Sequence, residues 1–193
     1  IDMVMPAATP PPSSPVRWNR AMLEALPDDG QRHEIIDGVH HVTPSPAAIH
    51  QYVVSELLGA LLPWCKAERA GWVFTAPSDI ELTPDTIVQP DITVFPRTGE
   101  RPPRTWSEGG RPILVVEVIS PSSASRDRIL KRRRYQRAEI AEYWIVDAES
   151  RLLERWRPAD ERPEIITDVL RWHPAGASSA LAIDLAPIFA AID

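Results

Sequence analysis

The sequence Ile-Leu-Val-Val-Glu-Val-Ile-Ser-Pro, residues 113–121, is the run around which the rest of the chain is organised. An unbroken apolar run of this length that stops at Ser-Pro predicts a central strand buried on both faces. Glu117 is the one charged residue in it. A buried carboxylate without a partner is costly, so we expect Glu117 to be protonated, paired with a base or bound to a cation.

A second, shorter apolar run lies upstream and also carries one acid. Residues 89–95, Gln-Pro-Asp-Ile-Thr-Val-Phe, predict a strand that Asp91 opens. If the two strands are neighbours, Asp91 and Glu117 meet on one face near the edge of the sheet. Oxygen ligands of this kind suit Mg²⁺ or Mn²⁺ rather than zinc. The alternative is that each acid pairs with an arginine of the following helix.

Two elements before these strands carry further candidates. Asp37-Gly38 between two apolar-leaning runs predicts a hairpin, and the period of two places Glu34 on an inward face with Ile36. A long amphipathic helix is expected from Pro46, and Pro63 ends or kinks it. His50 lies near the first turn of that helix, where it either makes a structural hydrogen bond or touches a ligand.

The helix predicted from residue 124 to residue 138 carries a candidate lysine. At ~100° per residue, Asp127, Lys131 and Tyr135 fall on one stripe that should pack on the sheet. A lysine directed toward two buried acids could position or polarise an attacking water. The alternative is a surface lysine whose stem packs and whose ammonium stays in water. Three arginines of the same helix are expected to face mainly solvent: Arg126, Arg132 and Arg133.

The remaining patterns complete an α/β or α+β sheet with helices on its faces. Further strands are predicted at residues 72–75, 79–82, 142–147, 152–156 and 163–172, with a short terminal helix at 185–191. Residues 1–15 are rich in Pro, Ala and Ser and are interpreted as a flexible leader. Residues 16–193 are interpreted as a single domain.

Composition excludes several classes of protein. The chain has 193 residues and a net charge of −6, so a basic nucleic-acid-binding footprint is not evident. No apolar run is long enough to span a bilayer and no signal segment is recognised, so we expect a cytoplasmic protein without membrane contact. A single cysteine, Cys65, excludes an internal disulfide. No phosphate-binding glycine loop is present, so no nucleotide cofactor is expected.

The motifs together resemble the Uma-two family of restriction-endonuclease-like proteins, within the PD-(D/E)xK nuclease superfamily, over roughly residues 17–190. The resemblance is carried by these residues: Glu34, Asp37-Gly38, His50, Pro90-Asp91-Ile92, Glu117-Val-Ile-Ser-Pro-Ser122, Asp127, Lys131, Tyr135 and Glu142-Tyr-Trp-Ile-Val-Asp147. It implies a restriction-endonuclease-like core with a mixed central sheet flanked by helices. Two departures stand out: Ile119 occupies the superfamily's lysine position, which Lys131 replaces from the next helix, and Ala138-Glu139 stands where the family usually has a glycine.

The resemblance also implies a function, a Mg²⁺-dependent endonuclease that hydrolyses DNA phosphodiester bonds. Asp91 and Glu117, with the main-chain carbonyl of Val118, would bind Mg²⁺ or Mn²⁺, assisted by Glu34, and Lys131 would position water. Four residues are candidate substrate contacts: His50, Arg128, Arg132 and Arg134. A homodimer is a further expectation. The alternatives are a non-catalytic nucleic-acid or protein interaction module that retains the fold, and a hydrolase for a small phosphorylated substrate.

Overall fold

The computed structural model describes residues 16–192, so the predicted leader, residues 1–15, lies outside the described residues. Twelve strands occur in this part of the chain. In chain order they are β1 Arg32–Ile36, β2 Val39–Thr43, β3 Gly71–Thr75, β4 Ile80–Thr83, β5 Thr86–Val88, β6 Ile92–Pro96, β7 Leu114–Ile119, β8 Glu142–Asp147, β9 Leu152–Trp156, β10 Glu164–Ile166, β11 Val169–Trp172 and β12 Leu181–Asp184.

The helices are fewer than the strands, and all but one of them are short. They are α1 Arg20–Glu24, α2 Ala48–Glu68, a 3₁₀ turn at Ser107–Gly109, a π-helical segment at Arg126–Lys131, α3 Arg132–Arg137 and α4 Ala186–Ala190. Within residues 16–192, no helix combines the length and the apolar character needed to cross a membrane.

The predicted central strand is β7, in a six-stranded mixed sheet with the order β10-β9-β8-β7-β6-β3. It pairs parallel with β8 and antiparallel with β6. All six residues of β7 are buried, which confirms the prediction of a strand covered on both faces. Side chains alternate along the strand, so Val116 and Val118 enter one apolar cluster while Val115 and Ile119 enter the other. Glu117 therefore shares the face of Val115 and Ile119.

Helix α2 covers the Val116 face of the sheet, together with the hairpin β11–β12 and α4. The helix does not end at Pro63, as one reading of the sequence expected, but continues to Glu68. Leu61 and Cys65 are both fully buried on either side of the proline. The apolar stripe of α2 thus stays against the sheet past Pro63, and this packing outweighs the lost hydrogen bond.

A second sheet, with the order β2-β1-β5-β4, lies toward the opposite face, because Ile36, Ile80 and Val88 join the apolar cluster of Val115. The predicted hairpin joins β1 to β2, and Asp37 and Gly38 both have positive φ, 58° and 76°. Such a two-residue turn matches the twist of antiparallel strands.

Three other strand predictions need correction. Strand β5, only three residues long, was not predicted, and neither was β12. The strand expected over residues 163–172 is divided into β10 and β11, which belong to different sheets. Strands of three or four residues carry too few residues for a periodic pattern.

Candidate active site

Strands β6 and β7 bring the two predicted acids together. The register pairs Ile92 with Val116, so the next residues outward, Asp91 and Glu117, stand opposite each other. Asp91 precedes β6 and Glu117 lies within β7. Both residues are almost completely buried, with exposed fractions of 2% and 3%. The antiparallel pairing therefore places two carboxylates side by side at one end of the sheet.

Lys131 lies among these acids. Its side chain is 2% exposed, and its Nζ lies 2.7 Å from Glu34 Oε1 and 2.8 Å from Glu117 Oε1. Asp127 Oδ1 lies 3.5 Å from the same nitrogen. Tyr135, on the same helix face, donates its hydroxyl to Glu117 Oε1 at 3.1 Å. Lys131 is thus directed inward along the predicted stripe and is not a surface lysine.

Glu34 reaches the cluster from β1 in the second sheet. Its side chain is fully buried. Its Oε1 accepts a hydrogen bond from the main-chain N–H of Gln89 at 2.7 Å and forms an ion pair with the ammonium of Lys131. Its Oε2 is buried and has no hydrogen-bond partner. One oxygen of Glu34 is therefore fixed by the protein and the other is unused.

Asp91 is held by three donors from three different elements. Arg32 donates to Oδ1 at 2.8 Å, while His50 Nε2 and the main-chain N–H of Val118 lie 3.1 Å and 2.8 Å from Oδ2. Burial by itself would raise the pKa of Asp91, but the hydrogen bond from His50 and the charge of Arg32 outweigh it and lower the pKa. Asp91 is therefore ionised at neutral pH.

The pKa values of both Glu117 and Lys131 are raised, which favours the neutral carboxyl of Glu117 but the charged ammonium of Lys131. Burial raises the pKa of Glu117 well above its usual range, because it and the neighbouring acids outweigh the attraction of Lys131. Burial alone would lower the pKa of Lys131, but the carboxylates of Glu117, Glu34 and Asp127 outweigh it and raise the pKa. Lys131 is consequently a permanent ammonium, whereas Glu117 takes up a proton readily.

The helix after β7 departs from the predicted α-helix. Residues Arg126–Lys131 form a π-helical segment, with i→i+5 hydrogen bonds, and α3 follows. In an α-helix Arg126 and Lys131 would point ~140° apart, but residues five apart lie one turn from each other in a π-helix. Both line the same cavity. The expectation that Arg126 faces mainly solvent is therefore wrong, and the π-helical turn is the reason.

The clustered side chains surround one cavity of about 230 Å³. The predicted site residues that line it are Glu34, His50, Asp91, Glu117, Val118 and Lys131. Arg32, Arg126, Asp127 and three serines, Ser120, Ser122 and Ser123, line it as well and were not predicted as site residues. Arg32 could have been found from the sequence, because the period of two in β1 places it on the face of Glu34. No local sequence pattern predicts that the side chain of Arg126 points into the cavity.

Three predicted substrate contacts do not line this cavity. Arg128 forms ion pairs with Asp147 and Glu154 at 2.8 Å and 2.6 Å. The guanidinium of Arg132 lies over the ring of Trp156, 4.5 Å from its centroid. Arg134 pairs with Asp37 in the β1–β2 turn. These arginines therefore have structural partners of their own.

The donor set of the cavity suits a hard divalent cation. Its ligands are carboxylate oxygens, and the buried atoms Glu34 Oε2 and Asp127 Oδ1 have no hydrogen-bond partner. In the arrangement seen, Lys131 and Arg32 hold the carboxylates, and among residues 16–192 no three His, Cys, Asp or Glu side chains are grouped as metal ligands. The residues fit Mg²⁺ by chemistry, provided that these ion pairs open.

Comparisons with known proteins identify the fold and the family of the chain. No curated protein matches the chain. The structure is similar to the crystal structure of a protein from Anabaena variabilis ATCC 29413, described as a putative nuclease belonging to DUF820, with a TM-score of 0.66. The two are 20% identical over 90% of this chain and 98% of that chain, which shows a shared fold. The family model Uma2, described as "Putative restriction endonuclease", matches residues 20–179. The chain therefore belongs to the Uma2 (Uma-two) family.

Proposed function

We propose that this protein is a Mg²⁺-dependent endonuclease that hydrolyses phosphodiester bonds of DNA. The observation that carries the proposal is that Asp91 lines a single cavity together with Glu34, Glu117 and Lys131, whose ammonium contacts both glutamates. Buried acids of this kind are costly to fold, and they occur where function needs them. Family membership supports a nuclease activity.

Each residue of the cavity has a role in this proposal. Asp91 and Glu117 would hold Mg²⁺ (or Mn²⁺), with the main-chain carbonyl of Val118 and the unused oxygen of Glu34 as further ligands. The bound cation would supply charge stabilisation to the phosphate under attack. Lys131 would orient the attacking water and stabilise charge in the transition state. Ile119 is buried in an apolar cluster, so this ammonium comes from the helix instead of from β7.

His50 keeps Asp91 in position from the cavity wall and is the one predicted substrate contact that reaches the site. The predicted contacts Arg128, Arg132 and Arg134 would act only outside the cavity, by attracting the DNA backbone. A homodimer stays a prediction, which sedimentation of the purified protein would test.

The second candidate is a non-catalytic interaction module that retains the fold. It is favoured by one observation: Arg32 and His50 already pair with Asp91, and Lys131 pairs with Glu117, as in a purely structural ion-pair network. A network of that kind would bind neither Mg²⁺ nor a phosphate.

A cleavage assay separates the two candidates. Supercoiled plasmid and a labelled DNA duplex are incubated with the parent protein in Mg²⁺, in Mn²⁺ and in EDTA. We expect cleavage only with the cation, and its loss in Asp91→Asn. The matched control is Asp168→Asn, an exposed acid outside the cavity, which should cleave like the parent. A parent that binds no divalent cation by calorimetry and cuts neither substrate would support the interaction module.

A further inference from the structure

Arg126 is a partly buried cation of the cavity, and its Nε has no hydrogen-bond partner. Its side chain is 16% exposed and it lines the cavity beside Lys131. One terminal nitrogen donates to Thr43 Oγ1 at 2.8 Å. The Nε is buried and has no hydrogen-bond partner. A buried guanidinium N–H without an acceptor costs free energy. This arrangement therefore indicates that a bound ligand supplies the acceptor for Nε.

The nearest acid does not supply that acceptor. Glu34 Oε2 lies 4.0 Å from Arg126 Nε, which is too far for a hydrogen bond, and it is itself without a partner. A donor and an acceptor of opposite charge thus face each other without forming a bond. The space between these two atoms could therefore accept a cation bound to Glu34 and an anion bound to Arg126.

The other arginines near the cavity are committed elsewhere. Arg32 already donates to Asp91 Oδ1 and to the main-chain oxygen of Gln89. Arg128 is neutralised by its two acids and does not line the cavity. Among the lining arginines, Arg126 is therefore the one whose buried Nε has no hydrogen-bond partner.

We propose that Arg126 binds a non-bridging oxygen of the substrate phosphate, so that it is a substrate-binding residue placed in the cavity by the π-helical turn. The assignment rests on the proposed nuclease function and adds to it the residue that holds the phosphate. A guanidinium presents donors in a fixed planar fork that matches phosphate oxygens, which a lysine ammonium does not reproduce.

The test compares Arg126→Gln with Arg126→Lys, using Arg133→Gln as the matched control. Arg133 is an exposed arginine of α3 and carries the same charge. Binding of a fluorescein-labelled DNA duplex is followed by anisotropy with Ca²⁺ in place of Mg²⁺, kcat and KM are measured in Mg²⁺, and each variant is melted. Arg126→Gln should raise Kd and KM about tenfold and lower kcat less, as expected for the loss of a charged hydrogen bond. Arg126→Lys should recover part of the affinity, and Arg133→Gln should change Kd less than about twofold.

Each result decides the assignment. A folded Arg126→Gln protein with the parent's Kd overturns it, and a lowered melting temperature with unchanged Kd shows that Arg126 is only an ion-pair partner of Glu34. If Arg126→Gln does not fold, Arg126→Lys carries the test, and an unchanged Kd in that variant overturns the assignment. A parent that neither binds nor cleaves DNA overturns the proposed function, whereas an active parent with an unaffected variant overturns the role of Arg126 alone.

Discussion

Replacing Lys131 with methionine tests whether its ammonium compensates the buried acids. The side chain is 2% exposed and lies within 3.5 Å of carboxylate oxygens from Glu34, Glu117 and Asp127. Methionine retains much of the apolar stem but removes the charge. Any loss of stability in Lys131→Met therefore comes mainly from the unpaired acids and not from lost packing of the side chain.

The size of the effect follows from the burial of all the partners. Removing one member of a buried ion pair costs about 3–5 kcal/mol, because the remaining charge is left without compensation. For a chain of 193 residues, each kcal/mol shifts the melting temperature by about 2–4 °C. Lys131→Met should therefore melt about 6–20 °C below the parent in EDTA at pH 8. The control Arg133→Met, at an exposed position of α3, should change the unfolding free energy by less than about 0.5 kcal/mol.

The stability that Lys131→Met loses relative to the parent should depend on pH in a predictable direction. In the parent, the raised folded pKa of Lys131 means that its stabilisation is fully present below the unfolded pKa and is lost only as the pH rises through the folded pKa. In Lys131→Met, the acids lose their counter-charge and take up protons more readily. The difference in unfolding free energy between the parent and Lys131→Met should therefore be larger at pH 8 than at pH 5.5.

Thermal melts at both pH values, with EDTA and with Mg²⁺, measure these effects. If the acids can hold a cation, Mg²⁺ should restore part of the lost stability in Lys131→Met. A variant that melts within about 2 °C of the parent in EDTA at pH 8 would show that the ammonium of Lys131 does not compensate the buried acids, because a loss of about 3 kcal/mol predicts a decrease of at least 6 °C.

Three further predictions concern single residues. Glu117→Gln should be as stable as the parent or slightly more stable, because burial already favours the neutral carboxyl, and Mg²⁺ should no longer raise its melting temperature. A decrease of several kcal/mol in the unfolding free energy would show instead that Glu117 is a structural counter-charge. Burial raises the pKa of the Cys65 thiol to about 12, so at pH 8 it should react with a thiol reagent only after denaturation, and rapid reaction of the native protein would contradict this burial. Gly71→Ala should lower the unfolding free energy measured in urea by about 1–3 kcal/mol, since the added Cβ would lie 2.5 Å from Val94 Cγ1 and 2.7 Å from the Phe95 carbonyl oxygen, and a neutral change would show that β3 can move.

Local sequence patterns determined much of the candidate site. The apolar run at residues 113–119 predicts the buried strand β7 with Glu117 in it, and the helical period predicts that Lys131 and Tyr135 share an inward face. The period of two predicts that Glu34 points inward from the hairpin. These predictions succeed because side-chain direction in a strand or helix depends only on neighbours along the chain.

The tertiary structure decided which of these faces meet. Residue 32 and residue 91 are 59 positions apart, and only the packing of the second sheet against the six-stranded sheet lets Arg32 reach Asp91. Arg126 enters the cavity because residues 126–131 adopt a π-helix, in which a different set of residues shares a face than in an α-helix. A periodic sequence pattern assumes one helical geometry and carries no information about contacts between residues that are distant in the chain. The sequence alone therefore determined the acids and the lysine, whereas the partners of Asp91 and the inward turn of Arg126 depend on free energies of packing between elements that are far apart in the chain.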